Sequence, residues 1–218
     1  KLDVDSRDSA RQKKQDWNDF DIFIGLNFFY DKRNQKYQTT SGFFSNYDVS
    51  LPILSDTNTL TNNYNYKIFK ELYENNVSTF AFSLRGASSL SGDDIKLSER
   101  LYIPGRKLRG FESGKIGPKD GSDFIGGNYV STINATTTIP KILENVQSVD
   151  IVLFADAANI WGVDYDSSLD KSGIRSSVGV GLDWLTPVGP LTFSFAQPIT
   201  KESTDIEETF RFNIGTSF

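Results

Sequence analysis

Apolar and polar residues alternate one by one along most of this chain, which is the pattern of β-strands whose two faces differ in polarity. In the first clear segment every second residue from Phe20 to Tyr30 is apolar, and Asp21, Asn27 and Asp31 lie on the opposite face. The same alternation recurs over residues 43–51, 80–84, 129–139, 149–155, 174–184, 191–199 and 210–218. Together with a less regular segment over 64–74, the pattern predicts about nine strands and an all-β fold.

The segment over 64–74 fits the pattern less well, because Lys70 shares its apolar face with Tyr66 and Leu72. A lysine at the middle of a bilayer costs about 2–4 kcal/mol, and much less near the membrane surface. Either Lys70 lies near a membrane boundary or a bulge changes the strand register there.

The distribution of aromatic residues favours a transmembrane barrel over a soluble β-sandwich, whose strands also alternate. Aromatic residues lie near several strand ends (Tyr30, Tyr129, Trp184 and Phe218), as they do in the interfacial girdles of membrane barrels. Several opposite faces carry charges, which a sandwich would leave in solvent. Only 38% of the 218 residues are hydrophobic, and no apolar run is long enough for a transmembrane helix. The sequence therefore predicts a transmembrane antiparallel β-barrel.

Turn-forming residues divide the connections between strands into short and long ones. Residues 75–76 and 186–190 have the composition of tight turns, while 55–62, 88–124 and 163–172 are longer and rich in Gly, Asp, Ser and Asn. Their alternation is typical of outer-membrane barrels, with short periplasmic turns and longer external loops, and predicts a periplasmic C-terminus. Such barrels have even strand numbers and no open edge, so further strands are expected before Lys1, which is not a Met.

Composition also restricts the chemistry that we expect. The chain has no Cys and no His, which removes thiolate nucleophiles and the usual general base and metal ligands, so we expect neither an enzyme nor a cofactor or metal site. The net charge is -5, and the longest basic run covers only residues 11–14. Nucleic acid is therefore not an expected partner.

The connection over about 88–125 is too long for an ordinary turn and carries the candidate functional motif Leu108-Arg109-Gly110-Phe111. Its apolar residues and glycines indicate a loop that packs back into the barrel lumen. Arg109 would then lose solvent and need a carboxylate. Asp156 is the best candidate, since alternation places it on a lumen face beside Phe154. The alternative is that Arg109 is a solvated loop arginine and Asp156 an ordinary lumen residue.

Several motifs in order along the chain resemble the family of the outer membrane protein assembly factor BamA. The family's Val-Arg-Gly-Phe appears as Leu108–Phe111, its Ile-Gly-Pro-Lys as 116–119 and its Gly-Gly-Asn as 126–128. Residues 181–198 resemble its penultimate hairpin and 210–215 its closing strand. The chain departs from the pattern at Leu108, at Thr136, where some relatives have Glu, and at Ala158, where the family has Gly.

The resemblance implies that residues 1–218 are the C-terminal part of an outer-membrane barrel, about nine of sixteen strands. The implied function is to bind unfolded outer membrane proteins and assist their insertion into the bilayer, together with the lipoproteins of an assembly machinery. It also implies contact between Arg109 and Asp156. The closing strand would act as a C-terminal assembly signal, carried by an aromatic and apolar set: Phe210, Phe212, Ile214, Gly215 and Phe218.

Two other functions remain open. A sister member of the superfamily, either the translocation and assembly factor TamA or a two-partner secretion transporter, shares the Arg-Gly-Phe loop. A passive porin-like channel belongs to a different class and would be expected to have a constricting loop with rings of charge.

Overall fold

A computed structural model describes residues 21–36, 38–55, 58–73, 76–139, 149–186 and 189–214. The expectations for Phe20, Gly215 and Phe218 lie outside these residues. Within this part of the chain, no helix is long and apolar enough to span a membrane.

Nine long strands form one continuous sheet in which every neighbouring pair is antiparallel. They are β1 (Asp21–Asp31), β2 (Gly42–Ser55), β3 (Thr59–Tyr73), β4 (Asn76–Ser89), β8 (Tyr129–Ile139), β9 (Val149–Trp161), β10 (Arg175–Thr186), β11 (Gly189–Thr200) and β13 (Phe210–Ile214). Their order in the sheet is their order in the chain, which leaves β1 and β13 at its two ends. The predicted all-β fold with a single sheet of about nine strands is confirmed.

The remaining elements are short and lie in the connections. Two-residue strands form two small pairs: β5 (Gly110–Phe111) with β12 (Glu207–Glu208), and β6 (Lys119–Asp120) with β7 (Asp123–Phe124). Single-turn 3-10 helices cover Leu97–Glu99 and Ser167–Leu169. The long connection between β4 and β8 therefore contains local structure of its own.

Burial in the sheet is reversed relative to a water-soluble protein. The outward face is apolar and exposed, with 61% of Phe28, 47% of Leu153 and 56% of Phe195 accessible. The opposite face buries polar residues such as Asp156 and Ser177. This is the distribution of a sheet whose apolar side contacts lipid, and it agrees with the faces predicted from alternation.

The structure corrects one predicted connection. β2 continues to Ser55 and β3 begins at Thr59, so residues 55–62 do not form a long loop, and the predicted alternation of long and short connections is wrong at this point. Ser55, Thr59, Thr61 and Asn62 are instead strand residues. The Thr59 hydroxyl bonds the Glu99 carboxylate at 2.5 Å, and Asn63 Nδ2 donates to Asp48 Oδ2 at 3.2 Å.

Lys70 stays on the same outward face as Ile68 and lies close to the end of β3. The bulge that pairing reveals falls between Glu71 and Tyr73, after Lys70, so it does not turn the lysine inward. Of the two explanations offered by the sequence, a position near the end of the strand is therefore the one that fits.

The connection between β4 and β8 packs against the inner face of the sheet. Its apolar residues join inward-facing wall residues in one buried cluster: Ala87, Ile95, Leu101, Ile103, Leu108, Phe111, Ile116, Val130, Ala158 and Ile160. Six of these come from the connection itself, which explains how so polar a segment is held in place. The loop that we expected to pack into the barrel lumen thus lies against the inner face of the sheet.

Candidate functional site

A row of polar side chains crosses three neighbouring strands on the inner face of the sheet. Asp156 on β9 is paired in register with Asn134 on β8 and with Ser177 on β10. All three are buried, and only 2% of Asp156 is accessible. A buried carboxylate is stable only with hydrogen-bond donors around it, so this row requires a partner from the loop.

Arg109 is that partner. Its Nε lies 2.7 Å from Asp156 Oδ2 and its Nη2 lies 2.7 Å from Oδ1, a two-pronged contact that matches the planar guanidinium to the carboxylate. The backbone N–H of Arg109 also donates to Oδ2, at 3.1 Å. The carboxylate side chain is fully buried and the arginine side chain is 15% exposed. The contact predicted from the sequence is thus present.

The Phe154 ring contacts the guanidinium of the same arginine. The guanidinium carbon lies 3.4 Å from the centre of the Phe154 ring, an arrangement in which a cation is attracted to the ring face. The ring leans over Gly179, its paired neighbour on β10, where a Cβ would lie 2.4 Å from Phe154 Cζ. Phe111 is part of the apolar cluster between loop and wall.

Asn134 and Ser177 hold the backbone of the motif rather than its side chain. Asn134 Nδ2 donates to Asp156 Oδ1 and to the carbonyl of Lys107, both at 2.8 Å. The Ser177 hydroxyl donates to the carbonyl of Arg109. Alternation had placed both residues on the inner face, but their roles depend on strand register, which the sequence pattern does not supply. We refer to Arg109, Asp156, Asn134, Ser177 and Phe154 as the docking site.

Gly110 lets the loop approach the wall closely. Its φ of +93° lies in the region that favours glycine, and a Cβ there would be 3.2 Å from Ala196 Cβ and 3.3 Å from Ser177 Cβ. On either side of it along the motif, Leu108 and Phe111 are fully buried in the apolar cluster. Each residue of the Leu-Arg-Gly-Phe motif therefore makes a distinct contact with the interior.

Two further ion pairs tie the loops to each other and to the sheet. The fully buried side chains of Arg175 and Asp205 meet with Nε 2.9 Å from Oδ2, and join the start of β10 to the connection before β13. Arg100 pairs with Asp164 in the connection after β9. Sequence reasoning did not identify these pairs, because each joins two connections or a connection to a distant strand.

Asp164 lies in a loop outside the strands and has an altered acidity. Burial alone would raise its pKa, but a hydrogen bond from the Ile95 N–H, the charge of Arg100 and a hydrogen bond from Asn128 together lower the pKa below its ordinary value. Its side chain is 25% exposed. The ionised form of Asp164 is therefore the one that stabilises this part of the loop.

The predicted residues of the closing strand lie away from the docking site. Phe210, Phe212 and Ile214 are on the outward face of β13, and 47%, 44% and 69% of their surfaces are accessible. The rings of Phe210 and Phe212 each lie 4.9 Å from a phenylalanine ring of β11. Their placement is that of lipid-facing residues, and the loop contacts the opposite face of the same strand.

One protein-family model matches almost the whole chain. The model of the Omp85 superfamily domain matches residues 2–218. The chain belongs to the Omp85 superfamily. The resemblance to BamA that the motifs suggested is confirmed by relatives within this superfamily.

Three curated relatives are about equally similar. The outer membrane protein assembly factor BamA of Neisseria meningitidis is 31% identical over 174 residues, 64% of this chain and 22% of the relative. BamA of Neorickettsia risticii is 30% identical over 132 residues, 59% of this chain and 18% of the relative. A SAM50-like protein of Schizosaccharomyces pombe is 31% identical over 141 residues, 60% of this chain and 29% of the relative.

A solved structure shows the same fold. The crystal structure of BamA from Haemophilus ducreyi lacking POTRA domains 1-3 superimposes with a TM-score of 0.81 at 27% identity. The match covers 87% of this chain and 41% of the BamA chain. This Omp85 chain therefore corresponds to less than half of that structure, and to less than a third of each curated relative.

Proposed function

We propose that the chain is the C-terminal part of the membrane barrel of an outer membrane protein assembly factor. The protein would bind unfolded outer membrane proteins and assist their insertion into the bacterial outer membrane, without catalysing a covalent reaction. The observation that carries this proposal is the docked loop: an Omp85 sheet whose Leu-Arg-Gly-Phe motif is fixed to the inner wall by Arg109 and Asp156. The two relatives named as assembly factors support it.

The physical basis of the proposed activity is strand pairing at a sheet edge. β13 is an end strand of the sheet: it pairs with β11 on one side, and in the part of the chain that the structure describes no strand pairs with its other side. A weakly held edge strand can separate and leave N–H and C=O groups to which a client strand adds. The docked loop would hold the inner wall beside that edge. The partners in this proposal are client barrels, accessory lipoproteins and the lipid bilayer.

The orientation of the sheet follows from the same proposal. The connections that follow β4, β9 and β11 lie at one end of the strands, and they contain the contacts around Arg109 and Asp205. We infer that this end is external, as in outer-membrane barrels with long external loops. The C-terminus would then be periplasmic.

Reconstitution tests the proposed function. The full-length protein, placed in phosphatidylcholine vesicles with its accessory lipoproteins, should accelerate the folding of a urea-unfolded outer-membrane barrel, followed by heat-modifiable gel mobility. Vesicles with the Arg109→Ala variant should fold the client more slowly. Equal client folding in the presence and absence of the protein would contradict the proposal.

Ion conductance in planar bilayers separates this function from that of a passive channel. An apolar-cored loop on the inner wall should restrict the current, and loosening it by Arg109→Ala should increase the current. A large steady conductance of the parent protein with no effect on client folding would favour the channel.

A further inference from the structure

The closing strand carries a buried arginine on its inner face. Arg211 lies in β13 with only 9% of its surface accessible. On one side β13 pairs with β11, and within the described residues no strand pairs with its other side. A guanidinium in such a position must have acceptors, and their location determines what else holds the strand.

One acceptor belongs to the docked motif. Arg211 Nη2 donates to the carbonyl oxygen of Phe111 at 2.7 Å, a contact between residues 100 positions apart in the chain. The charge is balanced locally, because Arg211 Nε donates to Glu208 Oε2 at 2.9 Å and Nη2 also contacts that carboxylate. Arg211 thus joins its own strand, the end of the preceding connection and the Leu-Arg-Gly-Phe motif.

The loop provides a surface that fits this side chain. The guanidinium lies directly against Gly105, where a Cβ would be 1.9 Å from Arg211 Nη1. Any other residue at position 105 would have to displace the end of the arginine. Gly105 does not have a positive φ, so its backbone conformation does not require glycine. The space that the Arg211 guanidinium occupies explains the glycine instead.

The connection between β11 and β13 also contacts the loop, but through separate bonds. β5 pairs with β12, the Glu112 N–H donates to the Ile206 carbonyl at 2.8 Å, and the Gly117 N–H donates to Asp205 Oδ1 at 3.2 Å. These contacts hold the connection that precedes the strand. Arg211 is a side chain of β13 itself that reaches the motif.

We propose that Arg211 is a positioning residue that couples the closing strand to the docked loop, so that undocking of the loop loosens β13. This deepens the proposed function, since β13 is the edge strand whose separation that function requires. The contact places the strand under the control of the Arg109–Asp156 pair: while the motif is docked, the carbonyl of Phe111 is held where Arg211 can bind it.

Hydrogen exchange of the full-length protein in nanodiscs tests this coupling without any client. Arg211→Met keeps an unbranched apolar side chain, removes both contacts and leaves Glu208 able to reach solvent, since that side chain is 36% exposed. Loss of a charge-assisted hydrogen bond should speed exchange of the β13 amides about tenfold. Gly105→Ala should do the same from the loop side, by displacing the guanidinium. Asn213→Ala, on the same inner face of β13, is the control and should change little.

The decisive comparison combines the variants. Arg109→Ala should speed exchange in β13 in the parent protein and add little in the Arg211→Met background, while residues 201–206 respond to it in both. An equal effect of Arg109→Ala on β13 in both backgrounds would overturn the coupling, and so would normal exchange in Gly105→Ala. Client folding is measured separately, so its failure would count against the proposed function and leave this result standing.

Discussion

Removal of the Arg109 side chain is the most informative single perturbation of the docking site. In Arg109→Ala the Asp156 carboxylate stays fully buried and loses two charge-assisted bonds at 2.7 Å. It keeps the Asn134 amide and the backbone N–H of residue 109 as donors. An ion pair broken in this way costs about 3–5 kcal/mol, and the two remaining donors place the expected cost near the lower value. Opening of the loop should therefore become about a hundredfold more favourable.

The free-energy cost of removing a side chain should differ between Arg109 and Asp156. In Asp156→Ala the arginine loses its carboxylate, but its side chain is already 15% exposed and lies on the Phe154 ring, so it can turn toward solvent. In Arg109→Ala the Asp156 carboxylate cannot turn toward solvent, because its side chain is fully buried. We therefore expect Asp156→Ala to loosen the loop less than Arg109→Ala, and the double variant to be no worse than Arg109→Ala alone.

Limited proteolysis with trypsin measures this opening, because the exposed Arg106 and the half-buried Lys107 lie immediately before the motif. Arg33→Ala is the matched control: its pair with Asp31 has a similar Nη2–Oδ2 distance of 2.8 Å and a 16% exposed arginine, but lies at the end of β1. Cleavage of the control should stay at the parent rate. Losses that add up in the Arg109 and Asp156 double variant would show that the two residues act separately, and the docking argument would fail.

Three other perturbations test separate features. Gly179→Val should displace both the Phe154 ring and the Phe195 carbonyl, which a Cβ would approach to 2.4 and 2.2 Å, and should speed tryptic cleavage of the loop. Gly25→Val, where a Cβ meets no atom within 4 Å, should not. Deletion of Phe218 should lower the amount of protein assembled in the outer membrane, measured in membrane fractions, more than its thermal stability once inserted. The lowered pKa of Asp164 means that its stabilisation is complete above the ordinary carboxyl pKa of about 3.9 and is lost as the pH falls through the folded value. Exchange of the amide bonded to Asp164 should therefore speed up only below about pH 4, after correction for intrinsic rates.

The sequence predicted those parts of the fold that depend on the two faces of a strand. Phe28 and Asp156 were assigned to the outward and inward faces by alternation alone, because the side-chain period of a strand is fixed at two. Strand ends were less certain: Thr59 lies in a segment with the composition of a loop, yet it belongs to β3, where its hydroxyl bonds the Glu99 carboxylate. Polarity alone does not distinguish a loop residue from an inward-facing strand residue.

The sequence predicted the Arg109–Asp156 pair of the docking site, but not the roles of Asn134 and Ser177. Arg109 and Asp156 could be matched because a buried guanidinium needs a carboxylate, alternation places Asp156 on an inward face, and the resemblance to the BamA family implies the contact. Asn134 and Ser177 depend on the register of β8 and β10 against β9, which local sequence does not determine. Arg211 was assigned to the polar face of its strand, but its acceptor on Phe111 is a backbone carbonyl, which carries no residue-type signal.

The separation in sequence between the loop and its contacts has a consequence for biogenesis. The motif bonds residues 47, 68 and 100 positions away, on β9, β10 and β13 in turn. Each of these contacts requires its strand to be in place, and long-range contacts are slow to form. The loop therefore completes its docking only after β13 has been synthesised and added to the sheet. Formation of the Arg211 contact therefore requires β13 to lie beside the docked motif.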